Sequence, residues 1–191
     1  MQCIKTLAFI EEKLMKKILA FSGSNNNQSI NQNLIHMTAS KVTKHAVTVI
    51  DLNDYPMPIY SIEIEAQGIP EAVKQLRQVM LEHDALIIAS PEHNGSMPAF
   101  LKNVIDWLSR AAQPGQPFFG ETKKPVLLLS TSSGAGGGAT NLNTMATLMP
   151  WWGGDVKGIY SLASYNEKFS DGKLNLDADK ELTTTVNLFE S

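Results

Sequence analysis

The sequence predicts a doubly wound α/β domain: a five-stranded parallel sheet in the order 2-1-3-4-5 with helices on both faces. Two observations predict it. Short apolar runs of strand length alternate five times with segments whose apolar residues recur at helical spacing, joined by short connections. Such alternation places helices over both faces of a parallel sheet, because parallel neighbours need a crossover between them. In addition, the loops after strands one, three and four are the ones with unusual composition. In this strand order those loops meet at one crevice beyond the carboxyl ends of the strands.

The elements follow in order. Residues 18–21 are short and apolar and lead into the turn-rich stretch 22–29, so they read as a buried strand ending in a loop. Residues 30–42 carry Ile30, Leu34, Met37 and Val42 at near-helical spacing, and 47–50 are β-branched and end at Asp51. Pro56 and Pro58 exclude helix and central strand from 55–58. Pro70 suits the first turn of a helix with Val73, Leu76, Val79 and Met80 as its stripe. Residues 85–89 form the third strand, and Phe100, Leu101, Val104, Trp107 and Leu108 a further amphipathic helix. The fourth strand is 126–129, followed by a glycine-rich run at 134–138 and a helix over 142–148 that stops at Pro150. Residues 156–162 give the fifth strand and 178–189 the closing helix. Neither an internal repeat nor a linker divides the chain.

At 191 residues, one domain is the economical reading. A hydrophobic fraction of 43% supports a sizeable core, and a net charge of −3 argues against a nucleic-acid partner. The single cysteine, Cys3, allows no intrachain disulfide and no CxxC metal pair, and no apolar run approaches the roughly 20 residues that span a bilayer. The expectation is a cytoplasmic protein with no membrane partner and no metal. Met15-Lys16-Lys17 directly before the first strand looks like a natural start, which leaves 1–14 as an N-terminal extension and 15–191 as the domain. The extension's apolar run is broken by Glu11, Glu12 and Lys13 and lacks a cleavage site, so it does not read as a secretory signal.

The three loops carry the chemistry. Residues 22–31 (SGSNNNQSIN) offer hydroxyls, amides and a helix N-terminus to an anion, with Ser29 alternatively an ordinary capping residue. They contain no lysine, so this is not a Walker A loop. In 90–98 (SPEHNGSMP), two prolines and a glycine hold the backbone in a defined path that can face a flat ring. No partner for His93 can be placed, so a hydrolytic triad is poorly supported. In 130–139, Gly134, Gly136 and Ala139 fit a loose GxGxxA pattern, but Asp155 precedes the next strand instead of ending it, which disfavours a Rossmann site. Trp151 and Trp152 read as core or subunit interface before they read as an aromatic ligand site. Met97 and Phe100 are explained equally by helix packing or by reach to a ligand.

Together these loops resemble the NADPH-dependent FMN reductase family, a flavodoxin-like branch that includes quinone, azo-dye and chromate reductases. Residues 90–110, SPEHNGSMPAFLKNVIDWLSR, are similar nearly end to end to the family's SPEYNGSxPGxLKNAIDWxSR. Gly23, Ser24, Ser29 and Asn31 resemble its GSxRxxSxN, and Ser130, Ser132, Gly134, Gly137 and Gly138 its SxSxGxxGG. Likeness also extends through Asp51-Leu52 to Pro58 and covers about residues 15–190.

The resemblance implies a flavodoxin-like fold and an enzyme using FMN and NADPH or NADH, with hydride passed to bound FMN and electrons onward to a quinone, flavin, azo or similar small-molecule acceptor. It implies that Ser24, Ser29 and Asn31, with Ser22 at the start of the loop, hold the FMN phosphate. Pro91, Glu92, His93, Asn94 and Gly95 would face the isoalloxazine, largely through backbone, and Ser132 and Gly134 would close the other side. No side chain is assigned a catalytic role, and a homodimer or homotetramer is implied. Two departures stand out: Asn26 replaces the family's arginine, and His93 replaces its tyrosine. Losing one charge-assisted hydrogen bond costs about 1.5–3 kcal/mol, so cofactor binding is expected to weaken without vanishing. Two rivals are a flavodoxin-type electron carrier and a binding or regulatory module that has lost the flavin.

Overall fold

The computed structural model describes residues 15–191; the extension expected at 1–14 lies outside them. Strands β1 (Lys17–Ser22), β2 (Ala46–Ile50), β3 (Ala85–Ala89), β4 (Lys124–Thr131) and β5 (Gly154–Leu162) form one parallel sheet in the order β2-β1-β3-β4-β5. This is the expected flavodoxin-like order. β3 is buried along its whole length, whereas the edge strand β2 is only half-buried, as its one-sided pairing requires.

Alternate residues of each central strand feed two separate cores. Leu19, Phe21, Leu86, Ile88, Val126 and Leu128 pack under α3 (Glu71–Leu81), α4 (Ala99–Ala111) and α5 (Ala139–Trp152). Ile18, Ala20, Ile87, Leu127 and Leu129 pack under α1 (Ile30–Ala39) and α7 (Leu176–Phe189). Each leucine, isoleucine, valine or phenylalanine among them contributes roughly 1.5–3 kcal/mol by burial, so the strands' continuous apolar runs are what fix the layers.

Four local differences from the sequence expectation stand out, two of them with a clear physical cause. Pro150 does not stop α5, which continues to Trp152. Its missing N–H removes one bond near the helix end, and Met149 and Trp152 anchor the last turn by burial. The helix ends instead at Gly153, in the left-handed conformation at φ 98°. α1 ends at Ala39, before the expected Val42, where the Ser40 N–H bonds back to the His36 and Thr38 carbonyls. Two one-turn helices, α2 (Ile62–Glu65) and α6 (Tyr165–Lys168), were not legible from periodicity. The same holds for the two-residue strands β6 (Phe169–Ser170) and β7 (Lys173–Leu174), which pair as a hairpin.

Candidate active site

The loops after β1, β3 and β4 all leave the carboxyl edge of the sheet, and they are tied to one another. Gly23 N donates to Ala89 O at 2.7 Å, extending the β1–β3 ladder into the loop. A Cβ at Gly23 would meet Leu101 Cδ2 at 2.6 Å, so α4 can approach this loop only because position 23 is glycine.

Within the first loop, side-chain oxygens fold back onto the backbone. Ser22 Oγ accepts from Ser24 N, Ser24 Oγ from Asn26 N, and Asn26 Oδ1 from Gln28 N. Ser29 Oγ accepts from Gln32 N at 3.4 Å, so Ser29 is the N-cap of α1, the alternative its sequence position had allowed. As acceptors, these hydroxyls keep a hydrogen to donate. The N–H groups of the first helical turn also lack intrahelical partners. That donor set suits an anion, although Ser22 and Ser29 are themselves buried. Asn31 is committed elsewhere: its Nδ2 donates to Thr131 O and its Oδ1 accepts from Thr131 N, both at 3.0 Å. Buried at 2% exposure, it joins α1 to the end of β4 and does not serve the open side of the loop.

The loop after β3 is held at its base and open at its tip. Ser90 N donates to Leu129 O, and Ser130 Oγ donates to Ser90 O at 2.7 Å. His93 and Ser96 exchange backbone bonds of 2.8 and 3.1 Å around Asn94 (φ 53°) and Gly95 (φ 79°), the geometry of a tight type I′ turn. His93 and Asn94 are exposed, while Pro91 and Glu92 are half-buried. The Glu92 carboxylate accepts from Asn141 N at 2.9 Å, capping α5, whose own N-cap, Gly138, supplies no side chain.

After β4 the chain closes on itself. Ser132 Oγ donates to Gly134 O and accepts from Gly137 N, both at 3.1 Å, while Ser132 O and Gly134 O accept from Tyr165 N and Ser164 N. Gly137 and Gly138 have positive φ, and a Cβ on Gly138 would collide with Ser130 Oγ. Gly134 and Gly136 face open space. A cleft of about 420 Å³ lies beside the first loop, between Asn25, Tyr55, Met57, Phe100 and Asn103. Burial, then the neighbouring Asp54, raises the pKa of Tyr55 above the usual phenol value, so it stays a neutral hydroxyl there. Phe100 thus lines a cleft, whereas Met97 is core.

Other groups lie outside the crevice. α5 carries its C-terminus back to the amino edge of the sheet, about 20 Å away at 1.5 Å per residue. Trp152 packs there on Phe118 and Phe119, and Trp151 is 80% exposed. Among the described residues no cluster of three His, Cys, Asp or Glu could hold a metal. Sequence reasoning missed Asn141, Ser90 and Ser130 as organisers of the crevice. Their bonds span 40 to 51 positions; Ser90 and Ser130 stand in the motifs of their loops, but nothing local shows which distant group each will meet, and Asn141 stands in no motif.

The comparisons with known proteins agree with this architecture. The NAD(P)H-dependent FMN reductase of Pseudomonas aeruginosa is 37% identical over 64% of this chain and 63% of its own length. The quinone reductase of Escherichia coli is 38% identical over 54% of this chain and 55% of its own. The chain thus spans somewhat more than half the length of these two relatives. Among solved structures, FerB, a flavoenzyme NAD(P)H:(acceptor) oxidoreductase from Paracoccus denitrificans, superposes with a TM-score of 0.76 at 24% identity. It covers 92% of this chain and 96% of FerB, a likeness of fold. The model of the NADPH-dependent FMN reductase family matches residues 16–167, and the chain belongs to that family.

Proposed function

We propose that this chain is an NAD(P)H-dependent oxidoreductase that holds FMN at the carboxyl edge of its sheet and passes electrons to a quinone or another small acceptor. The observation that carries the reading is the crevice itself: an anion-donor loop, a rigid loop with an exposed tip, and an open glycine loop, fastened together by buried and half-buried hydrogen bonds. These residues fit the cofactor's two ends. The Ser24 and Ser29 hydroxyls and the first-turn N–H groups of α1 bind the phosphate, with Ser22 shaping the loop and Asn31 fixing it to β4. The backbone of Pro91, Glu92, His93, Asn94 and Gly95 would orient the ring, and Ser132 and Gly134 would flank it, with open space at Gly134.

Bound FMN supplies the two-electron chemistry. The protein's part is position. No loop presents a side chain paired as acid and base, and the Glu92 carboxylate is committed to α5. The exposed His93 and Asn94 leave the ring's approach open, so a nicotinamide and an acceptor can use the same face in turn. Ping-pong kinetics follow, and intersecting double-reciprocal plots would count against this order.

The decisive experiment is a visible spectrum of purified protein titrated with FMN, followed by NADPH or NADH under nitrogen. Saturable perturbation near one equivalent and bleaching by the nicotinamide are expected. The second reading, a flavin-free regulatory module, is favoured by one feature: the first loop and α1 contain no lysine or arginine. It would take over if tens of micromolar FMN left the spectrum unchanged. We also assign the chain to a cytoplasmic homodimer or homotetramer. The exposed Ile59 and Ile62, three positions apart in the chain, support an interface. No helix of the described residues is long and apolar enough to cross a membrane. Light scattering after size exclusion checks the assembly; a monomer at micromolar concentration would refute it.

A further inference from the structure

We infer that Asn141, in the first turn of α5, is a positioning residue that holds the loop after β3 in the shape the flavin ring requires. This rests on the flavin reading above. Asn141 is fully buried, and it engages three successive residues of that loop. Its Nδ2 donates to Ser90 Oγ at 2.8 Å and to Pro91 O at 3.0 Å, and its backbone N donates to Glu92 Oε2 at 2.9 Å. The next residue is His93, where the exposed turn begins.

What the side chain does not do is as informative. Pro91 O already accepts from Ser90 Oγ, and Ser90 O already accepts from Ser130 Oγ. Deleting the Asn141 amide therefore orphans no buried carbonyl, and the bond to Glu92 survives because the backbone makes it. Meanwhile Asn141 Oδ1 is buried with no partner among the described residues. An unpaired buried acceptor opposes stability, and the bonds made in exchange are redundant for the groups they reach. The amide adds little to the fold. It fixes the direction in which the chain leaves β3, and with it the plane offered to the ring.

The test uses Asn141→Leu, which keeps the branched outline but carries larger methyl groups, alongside the smaller Asn141→Ala. Affinities for FMN and riboflavin are measured by flavin fluorescence quenching, the bound ring by visible circular dichroism, and folding by thermal melting without flavin. In at least one of the two variants the melting temperature should hold, and in that variant both flavins should weaken equally, by about tenfold, with an altered dichroism band. Equal loss places the effect at the ring end, since riboflavin lacks the phosphate. Unchanged affinity and dichroism in folded variants would overturn the inference. So would selective loss of FMN, or a melting temperature that falls sharply in both variants, which would make Asn141 a fold tie only. A wild-type protein that binds neither flavin would overturn the flavin reading itself, and this inference with it.

Discussion

The two edges of the sheet solve the same problem in opposite ways. At the amino edge, Phe118, Phe119 and Trp152 pack against each other with ring centroids 4.7 to 6.5 Å apart. There Lys124, 9% exposed, lays its ammonium on the carbonyls of Met80, Leu81 and His83 and so caps the end of α3. At the carboxyl edge the buried groups are hydroxyls and amides that join separate loops, and glycines leave open space beside them. The amino edge closes by filling volume. The carboxyl edge closes by fastening backbones together, which leaves donors and a flat approach for a ligand. Stability and binding should therefore separate by edge, and substitutions can test that.

The largest effect on stability belongs to the amino edge. Phe119 is fully buried, and Phe119→Ala should cost about 3–5 kcal/mol in urea unfolding. At a temperature where the variant is folded, its FMN affinity should stay within about twofold of wild type. A parallel loss of affinity would break the separation. Next comes Gly138→Ala at the carboxyl edge. Its φ of 79° and its clash with Ser130 predict about 2–4 kcal/mol, and here flavin binding should be lost even in the folded protein. Calorimetric titration with FMN decides it; retained affinity would show that the loop can shift without harm to the site.

Asn26→Arg should do the reverse of both. Asn26 is exposed and shapes only a local turn, so stability should change by less than about 0.5 kcal/mol. One new charge-assisted bond to the phosphate should tighten FMN by about 1.5–3 kcal/mol, roughly tenfold to 150-fold, and leave riboflavin unchanged. If both flavins tighten equally, the first loop does not hold the phosphate.

The same contrast explains what the sequence revealed. The apolar runs at 18–21, 85–89 and 126–129 are buried on both faces, so their composition alone placed the layers. The glycine and serine loops were legible because open backbone needs small residues. Their fastening was not. The family resemblance gives Asn31 to the phosphate, yet its amide reaches Thr131, 100 positions away. Asn141 falls just before the helix expected over 142–148 and in no motif, yet it organises the loop after β3. Pro150 reads as a stop, but two buried side chains beside it outweigh the bond it removes. Local pattern reports what a segment buries, not which distant carbonyl a side chain will find.

The smallest expected effect concerns Lys124. Burial, its first cause, lowers the pKa of this lysine below the ordinary 10.5, and Asp84 opposes the shift. A group whose folded pKa is depressed releases its proton in the native state while the unfolded chain still holds it. Between the lowered value and 10.5 the unfolded chain binds more protons, so this lysine's contribution to stability rises with pH across that window. Lys124→Met has no proton to release. It also relieves the burial of a charge, which offsets the lost bonds to the α3 carbonyls, so its net cost should be within about 2 kcal/mol. The stability difference between wild type and variant should therefore widen as pH rises toward 10.5. Urea midpoints for both proteins at several pH values up to 10.5 measure it, and FMN affinity should be equal in the two throughout. A difference that narrows with pH would mean that the attraction of Asp84 outweighs desolvation, and that Lys124 itself is held at the amino edge by charge.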